Sequence, residues 1–128
     1  MPERYPGYDV MAKRDTPSWN DATRQVIDAR LAIVDAPTFL NEQEWLTLRA
    51  TCDGIVPQRA RDTRVPIAAM VDRKLAEDHR DGYRDARLPP LREAWRRGLA
   101  ALDAAARTRN GVVFHRLTAE ARDALLQA

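Results

Sequence analysis

Few side chains in this chain of 128 residues could do chemistry, and they lie far apart in the sequence. There is one cysteine, Cys52, and there are two histidines, His79 and His115. A catalytic thiolate needs a nearby base, and a zinc site needs three or four ligands at close spacing. Because neither histidine is close to Cys52 in sequence, the spacing predicts neither kind of site. We therefore expect no catalytic residue, no cofactor-binding residue and no metal ligand in this chain.

Acidic residues occur in pairs at Glu77 and Asp78 and at Asp81 and Asp85, a pattern that can support general acid–base catalysis. Arginines are interleaved with them in the stretch "EDHRDGYRD". Such mixed charge is typical of exposed ion pairs on a solvated surface. The five glycines form no dinucleotide-binding, phosphate-binding or nucleophile-elbow pattern. These residues give no support for an enzyme or for a nucleotide cofactor.

Four residues are candidates for contact with another protein. Tyr5 and Tyr8 lie in the proline-flanked stretch "RYPGYD", too near the N-terminus to be obvious core residues. Trp19 and Cys52 lie at helical spacing among apolar residues, where packing in the core and contact with a partner are both open interpretations. For the arm that carries the tyrosines, a loose segment and a segment lying along another surface are equally open. We take Tyr5, Tyr8, Trp19 and Cys52 as the candidate partner interface.

The composition is that of one folded domain with a modest core, since 45% of the residues are apolar, 31% are charged and the net charge is +2. Basic and acidic residues alternate and form no basic stripe, so we expect no nucleic-acid partner. No apolar run approaches the roughly 20 residues that span a bilayer, so we expect no membrane insertion. The N-terminus has no apolar segment of the export-signal type. The sequence therefore predicts a cytoplasmic location, or a periplasmic one if the native N-terminus has been removed.

Helices must position these residues, because apolar residues recur at helical spacing and no long β alternation occurs. We predict an extended arm over residues 1–17 and an all-α domain of about five helices over residues 18–128. The last apolar pattern stops shortly after Leu125 and Leu126, so we expect the C-terminus to be cut short. The predicted elements are helices at about 18–34, 42–56, 66–78, 91–110 and 119–128, a charged connection at 58–65 and an irregular segment at 79–90.

Each of the first four predicted helices has an apolar stripe. The second helix has the clearest start, because Asn41 and Glu44 form a capping-box pattern, and Pro57 ends it. Gly98 lies beside the stripe of the fourth helix, and we interpret it as a point of close packing between helices. The four stripes are Trp19, Thr23, Val26, Ile27, Arg30, Leu31 and Val34; Trp45, Leu48, Cys52, Ile55 and Val56; Ile67, Met70, Val71 and Leu75; and Leu91, Trp95, Leu99, Leu102 and Ala106.

The stretches "FLNEQEWLTLRATCDGIVP", "VPIAAMVDRKL", "RGLAALDAAA" and "GVVFHRLTAEARDALL" occur in an order and spacing that resemble the gluconate 2-dehydrogenase subunit 3 family. The resemblance runs from about Thr38 to Leu126. It implies a small subunit without catalytic residues that packs on a large, FAD-containing subunit of the glucose-methanol-choline (GMC) oxidoreductase type. It also implies a membrane-bound cytochrome c subunit as a further partner. FAD is then expected in the partner subunit and no cofactor in this chain.

The chain departs from this family pattern at both ends, because it lacks a twin-arginine export signal and an aromatic-rich tail after the final Leu-Leu pair. Our leading hypothesis is an accessory subunit that binds and stabilises a FAD-dependent sugar or gluconate dehydrogenase. Two other hypotheses stay open. One is a free-standing helical module that binds protein or nucleic acid, and the other is a small enzyme that uses Cys52 with a histidine.

Overall fold

Five α-helices and two short 3-10 helices, with no strand, form in the part of the chain that the structure describes. This computed structural model describes residues 5–58 and 63–128, so residues 1–4 of the predicted arm and residues 59–62 of the predicted charged connection lie outside it. The prediction of an all-α fold with about five helices is confirmed. The helices are α1 Asp21–Leu31, α2 Glu42–Ile55, α3 Ile67–Ala76, α4 Leu91–Asn110 and α5 Ala119–Leu126, and the 3-10 helices are Val10–Lys13 and Phe114–Arg116.

The chain divides into two compact units, Met1–Ile33 and Val34–Ala128. In the first unit, the 3-10 helix lies within the predicted arm and is tied to α1. Arg14 forms a two-pronged ion pair with Asp28 of α1, with N–O distances of 2.5 and 2.8 Å. The backbone carbonyl of Arg14 also accepts a hydrogen bond from Nε of Arg24 at 2.8 Å. This unit therefore has a defined internal arrangement of its own.

α1 is shorter and more exposed than its sequence pattern predicts. It begins at Asp21, because the side chain of Asn20 accepts a hydrogen bond from the backbone N–H of Thr23 at 2.8 Å and caps the helix there. No residue of α1 is buried, and Val26 and Leu31 are 50% and 67% exposed. Of the predicted stripe, Trp19, which precedes the helix, is buried, whereas the stripe residues within α1 are not. Apolar spacing creates a face, but burial requires another element against it.

α2 lies at the centre of the second unit, where it contacts α3, α4, α5 and the second 3-10 helix. Its start confirms the predicted capping box. The backbone N–H of Glu44 donates to Asn41 Oδ1 at 2.9 Å, and the backbone N–H of Asn41 donates to Glu44 Oε2 at 3.0 Å. All other helices of this unit contact α2. The capping box defines where α2 begins, and the other helices pack on α2. Its buried residues are Trp45, Thr47, Leu48 and Ala50.

The core of the second unit centres on Phe114, whose side chain is fully buried. Leu125 and Leu126 of α5 pack against this core, and the Thr118 hydroxyl caps α5 by accepting from the backbone N–H of Ala121 at 3.2 Å. The predicted final helix therefore closes the core from the C-terminal side. The core cluster is formed by Ala50, Ala106, Phe114 and Leu117, with Leu102, Ala121, Leu125 and Leu126 packed against it.

A buried carboxylate on α3 holds the segment that leads into α2. Asp72 is fully buried and accepts hydrogen bonds from the backbone N–H groups of Thr38, Phe39 and Leu40, at 2.6, 3.2 and 2.8 Å. The Thr38 hydroxyl donates to the same carboxylate at 2.8 Å. Because Asp72 points towards these donors, the buried face of α3 includes Asp72. The observed buried face is therefore rotated around the helix axis relative to the predicted stripe. The buried residues are Ala68, Ala69, Asp72 and Leu75, whereas Ile67, Met70 and Val71 are only partly buried.

The Asp72 carboxylate makes the stability of the fold depend on pH. Burial alone would raise the pKa of Asp72, but the hydrogen bonds from Leu40, Thr38 and Phe39 outweigh it and hold this pKa below its ordinary value of 3.8. A carboxyl group whose pKa is lower in the folded chain stabilises the fold fully above its unfolded pKa. That contribution is lost as the pH falls from there through the folded pKa.

We therefore expect the difference in unfolding free energy between the wild type and Asp72→Asn to be largest near neutral pH and to shrink below about pH 4. Urea denaturation of both proteins across this range measures it. The asparagine cannot titrate, so its own curve provides the control for all other acidic groups. A difference that stays constant down to about pH 2 contradicts the assigned role of the ionised carboxylate.

A second buried carboxylate ties α4 to the core. Asp103 is 8% exposed, and it accepts a hydrogen bond from the backbone N–H of Phe114 at 2.8 Å and another from the side-chain amide of Gln43 at 2.9 Å. The guanidinium of Arg107, one turn further along α4, lies 3.6 Å from it. Asp103 therefore connects α4 both to α2 and to the second 3-10 helix.

The first turns of α4 are anchored by arginines. Arg92 donates hydrogen bonds to the carbonyls of Leu75 and Ala76 at 2.7 and 2.6 Å. These carbonyls lie in the last turn of α3, where the regular donors four residues further on are missing, and the Leu75 carbonyl also accepts from the backbone N–H of Asp78 at 3.1 Å. The guanidinium carbons of Arg92 and Arg96 also lie 5.1 and 4.3 Å from the centre of the Phe39 ring. This side of α4 is thus fixed to α3 and to the segment before α2.

Candidate partner-binding surface

An open apolar groove of about 580 Å³ runs along the remaining side of α4. Two residues from elsewhere complete it, Thr51 of α2 and Arg84 of the predicted irregular segment, which forms no helix. The lining is almost entirely apolar, so this side of α4 is a candidate surface for contact with another protein. The residues that α4 contributes are Leu91, Ala94, Trp95, Gly98, Leu99, Ala101, Leu102 and Ala105.

The apolar face of α4 is wider than the part that the chain itself covers. Leu99 and Ala106 of the predicted stripe are buried, in line with the prediction. Leu91, Trp95 and Leu102 of the same stripe are only partly buried and line the groove. On a helix with 3.6 residues per turn, these three lie beside the buried residues rather than opposite them. The groove is thus the uncovered edge of one continuous apolar face.

Gly98 lies in the middle of this groove and is exposed. A side-chain carbon built on Gly98 would meet no atom within 4 Å. The interpretation that Gly98 marks close helix packing is therefore wrong within this chain, because no other helix approaches it. Instead, the missing side chain deepens the groove at its centre.

A second group of exposed apolar residues lies at the C-terminal end of α2. Ile55 and Val56 belong to the predicted stripe of this helix, but they are 66% and 46% exposed. Val65, just before α3, is also exposed. The stripe of α2 is therefore buried at Trp45 and Leu48 and uncovered in its last turn.

The four predicted interface residues have very different exposures. Tyr5 and Tyr8 are 63% and 56% exposed, with ring centres 6.4 Å apart, and the Lys13 ammonium lies 5.1 Å from the Tyr8 ring. Trp19 is only 9% exposed, so its indole offers little surface to a partner. Cys52 is half-buried on α2. The first three belong to the first unit and Cys52 to the second.

The groove was not among the predicted interface residues. The sequence carries one signal for it, the small residues Ala94, Gly98, Ala101 and Ala105 at helical spacing beside the predicted stripe. Small residues are common on exposed helix surfaces, so this spacing by itself does not indicate which side remains uncovered.

Cys52 is expected to be an unreactive thiol in the folded chain. Burial raises the pKa of the Cys52 thiol above 9.0, and the neighbouring Asp53 carboxylate raises it further. Because the thiolate is the reactive species, we expect iodoacetamide to modify Cys52 more than about tenfold more slowly than it modifies glutathione at about pH 8. Mass spectrometry measures the rate without ambiguity, since the chain has one cysteine. Concentrated urea should restore the rate of a free thiol, and fast labelling of the folded chain contradicts the prediction.

The histidines and acidic residues do not converge on a chemical site. His79 is 74% exposed and lies beside Glu77, with Nδ1 3.2 Å from a carboxylate oxygen. Residues 5–58 and 63–128 contain no group of three or more histidine, cysteine, aspartate or glutamate side chains arranged to hold a metal ion. Among the same residues, no helix has the length and apolar character needed to cross a membrane.

The second unit is thus a small helical body with apolar residues left open along α4 and at the end of α2. A family model described as gluconate 2-dehydrogenase subunit 3 matches residues 42–128. The match covers more than half of the chain, so the chain belongs to this family, and the resemblance noted in the sequence is confirmed. The chain is an accessory subunit of a dehydrogenase complex. Comparisons with curated proteins and with solved structures gave no match.

The matched range begins at the first residue of α2 and runs through α5, so it coincides with the helices that share the core of the second unit. The first unit, with α1 and the exposed tyrosines, lies before the matched range. The open groove on α4 lies within the matched range, and the residues Tyr5, Tyr8 and Trp19 lie outside it.

Proposed function

We propose that this chain binds the large FAD-containing subunit of a GMC-type sugar or gluconate dehydrogenase and stabilises it, without a catalytic residue of its own. Membership of the gluconate 2-dehydrogenase subunit 3 family supports a place in such a complex. The observation that carries the proposal is the uncovered apolar face of α4, which a partner subunit can bury.

Covering this face contributes to the binding free energy, although it does not have to supply all of it. Burying one large apolar side chain completely is worth about 1.5–3 kcal/mol. Leu91, Trp95 and Leu102 are already partly buried in the free chain, so covering their remaining apolar surface contributes on the order of 2 kcal/mol. This gain is needed to offset the loss of translational and rotational freedom on association. Ile55 and Val56, at the end of α2, are a second source of the same kind.

In this proposal the oxidation chemistry belongs to the partner. FAD and the substrate lie in the large subunit, and a cytochrome c subunit is a further partner that takes the electrons. The chain itself supplies an apolar docking surface and interacts with neither nucleic acid nor the interior of a membrane. Its mixed charge supports this view, because ion pairs such as Arg73–Glu77 at 2.9 Å place acidic side chains beside basic ones in the described part of the chain.

Co-expression with a GMC-type flavoprotein subunit from the same organism tests the proposal. We expect the two chains to co-purify, and we expect the flavoprotein expressed alone to be less soluble or to retain less FAD. FAD absorbance, sugar-dependent dye reduction and the melting temperature of the flavoprotein are measured with and without this chain. The proposal fails if the flavoprotein is soluble, saturated with FAD and fully active by itself and does not bind this chain.

A further inference from the structure

We propose that the α4 groove receives a single amphipathic helix of the partner subunit, whose apolar side lies over Gly98 and whose carboxylate pairs with Arg84. This inference rests on the proposed function, because it requires a partner subunit. It adds the face of the chain that is used, the secondary structure of the bound segment and the charge that this segment carries.

The polarity of the groove favours a helix over an extended segment. An extended segment must find partners for its backbone N–H and C=O groups when it is buried, whereas a helix satisfies them internally. The groove offers few such partners, since only Thr51, Arg84 and the indole N–H of Trp95 are polar among its side chains. The Thr51 hydroxyl already donates to the carbonyl of Thr47 at 2.8 Å.

The shape of the groove also fits a helix. Its lining extends from Leu91 to Ala105, which at 1.5 Å per residue is about 21 Å or four helical turns. Ala94, Gly98 and Ala101 are small, so a second helix axis can approach to the short end of the usual 8–10 Å range, roughly. Leu91 and Leu102 flank this low central part and can interdigitate with side chains of the bound helix.

Charge specifies what the bound helix carries. Arg84 is the one charged side chain that lines the groove. The neighbouring Asp85 is engaged by Arg87 at 2.7 Å, and Arg84 has no ion-pair partner within the described part of the chain. A carboxylate on the bound helix that lies beside Arg84 supplies the missing partner. Such a pair contributes to orientation and specificity more than to affinity, because Arg84 is only partly buried.

Two variants test the inference in the full-length chain, with the co-expressed flavoprotein subunit as binding partner. Gly98→Leu fills the centre of the groove, and we expect the free chain to stay folded, because a Cβ atom there has no neighbour within 4 Å and leucine is a better helix former than glycine. We expect its dissociation constant for the flavoprotein to rise on the order of 30-fold or more. Arg84→Glu should raise it roughly tenfold and reduce its dependence on salt.

Matched controls separate the groove from general effects. Ala100→Leu adds a similar side chain to an exposed position of α4 that faces a separate cavity beside α2, and Arg116→Glu makes the same charge change outside the groove. Both should change the dissociation constant less than about threefold. A photo-crosslinking residue at Ala101 should attach to a peptide of the flavoprotein that forms a helix and carries an acidic residue.

Each other result has a distinct meaning. Wild-type affinity in both Gly98→Leu and Arg84→Glu overturns the inference and leaves the proposed function standing. A wild-type chain that does not bind the flavoprotein at all overturns both. A chain that dimerises by sedimentation and becomes monomeric in Gly98→Leu shows that a second copy occupies the groove, which also overturns the inference. Crosslinking to an extended loop overturns the helical form of the bound segment.

Discussion

Replacing Phe114 by alanine is expected to lower the free energy of unfolding by about 4 kcal/mol, the middle of the range for deleting a buried phenylalanine ring. Phe114 is fully buried at the centre of the core cluster, where residues of α2, α4 and α5 meet. A domain of this size has roughly 5–15 kcal/mol of stability in total, so the variant should be close to unfolding. Urea denaturation followed by far-ultraviolet circular dichroism measures the change.

Two further variants show whether the loss arises from the cavity. Phe114→Leu keeps most of the apolar volume, and we expect it to cost less than about 1.5 kcal/mol. Val112→Ala removes apolar atoms two residues away at a side chain that is 41% exposed, and we expect a change within about 0.5–1 kcal/mol. If Phe114→Ala were no more destabilising than Val112→Ala, the core would not be centred on this ring.

The elements that could be predicted from the sequence are those with local determinants. The start of α2 depends on two side chains three residues apart, and both capping hydrogen bonds form as predicted. The end of α4 depends on Gly111, whose φ of 76° is readily available to glycine alone. The start of α5 depends on the Thr118 hydroxyl. In each case the interacting residues lie within one helical turn of each other, so the local sequence is sufficient to predict the interaction.

The elements that were predicted wrongly depend on contacts between distant parts of the chain. An apolar stripe on α1 gave no core, because Val26 and Leu31 remain exposed. On α3, counting hydrophobic residues favoured Met70 and Val71 for the interior, but the fold places Asp72 there. A buried aspartate cannot be recognised from its own neighbours in sequence, since its hydrogen-bond donors lie 32 to 34 residues away.

The candidate site was hidden from the sequence for a related reason. The stripe on α4 predicts an apolar face, but whether a residue of that face belongs to the core or to an interface depends on which elements cover it. Leu99 is covered and Trp95 is only partly covered, although both have the same spacing in the pattern. Gly98 is an example. The sequence suggested a packing contact at Gly98, but the structure shows that it lies in an open groove with no neighbour within 4 Å of its Cβ position.

Replacing Asp72 by alanine is expected to lower the free energy of unfolding by about 3 kcal/mol, because it removes an ionised acceptor that serves several donors at once. Hydrogen bonds to a charged group are worth roughly 1.5–3 kcal/mol each, and their effects are not additive. Thr38 is exposed, so water can replace part of its bonding, whereas the backbone N–H of Leu40 loses its acceptor in a buried position. The loss should therefore fall mainly on the segment that positions the start of α2.

Asp81→Ala is the matched control, because it is the same substitution at an aspartate that pairs with Lys74 and whose side chain is 79% exposed. An exposed ion pair is worth about 0–1 kcal/mol, so this variant should remain close to the wild type. Hydrogen exchange measured on Asp72→Ala should show the amides of Phe39 and Leu40 losing protection before those in the middle of α2. Equal loss of stability in both variants would mean that burial of the Asp72 carboxylate has no special part in holding residues 38–40, and that α2 is positioned by its apolar contacts alone.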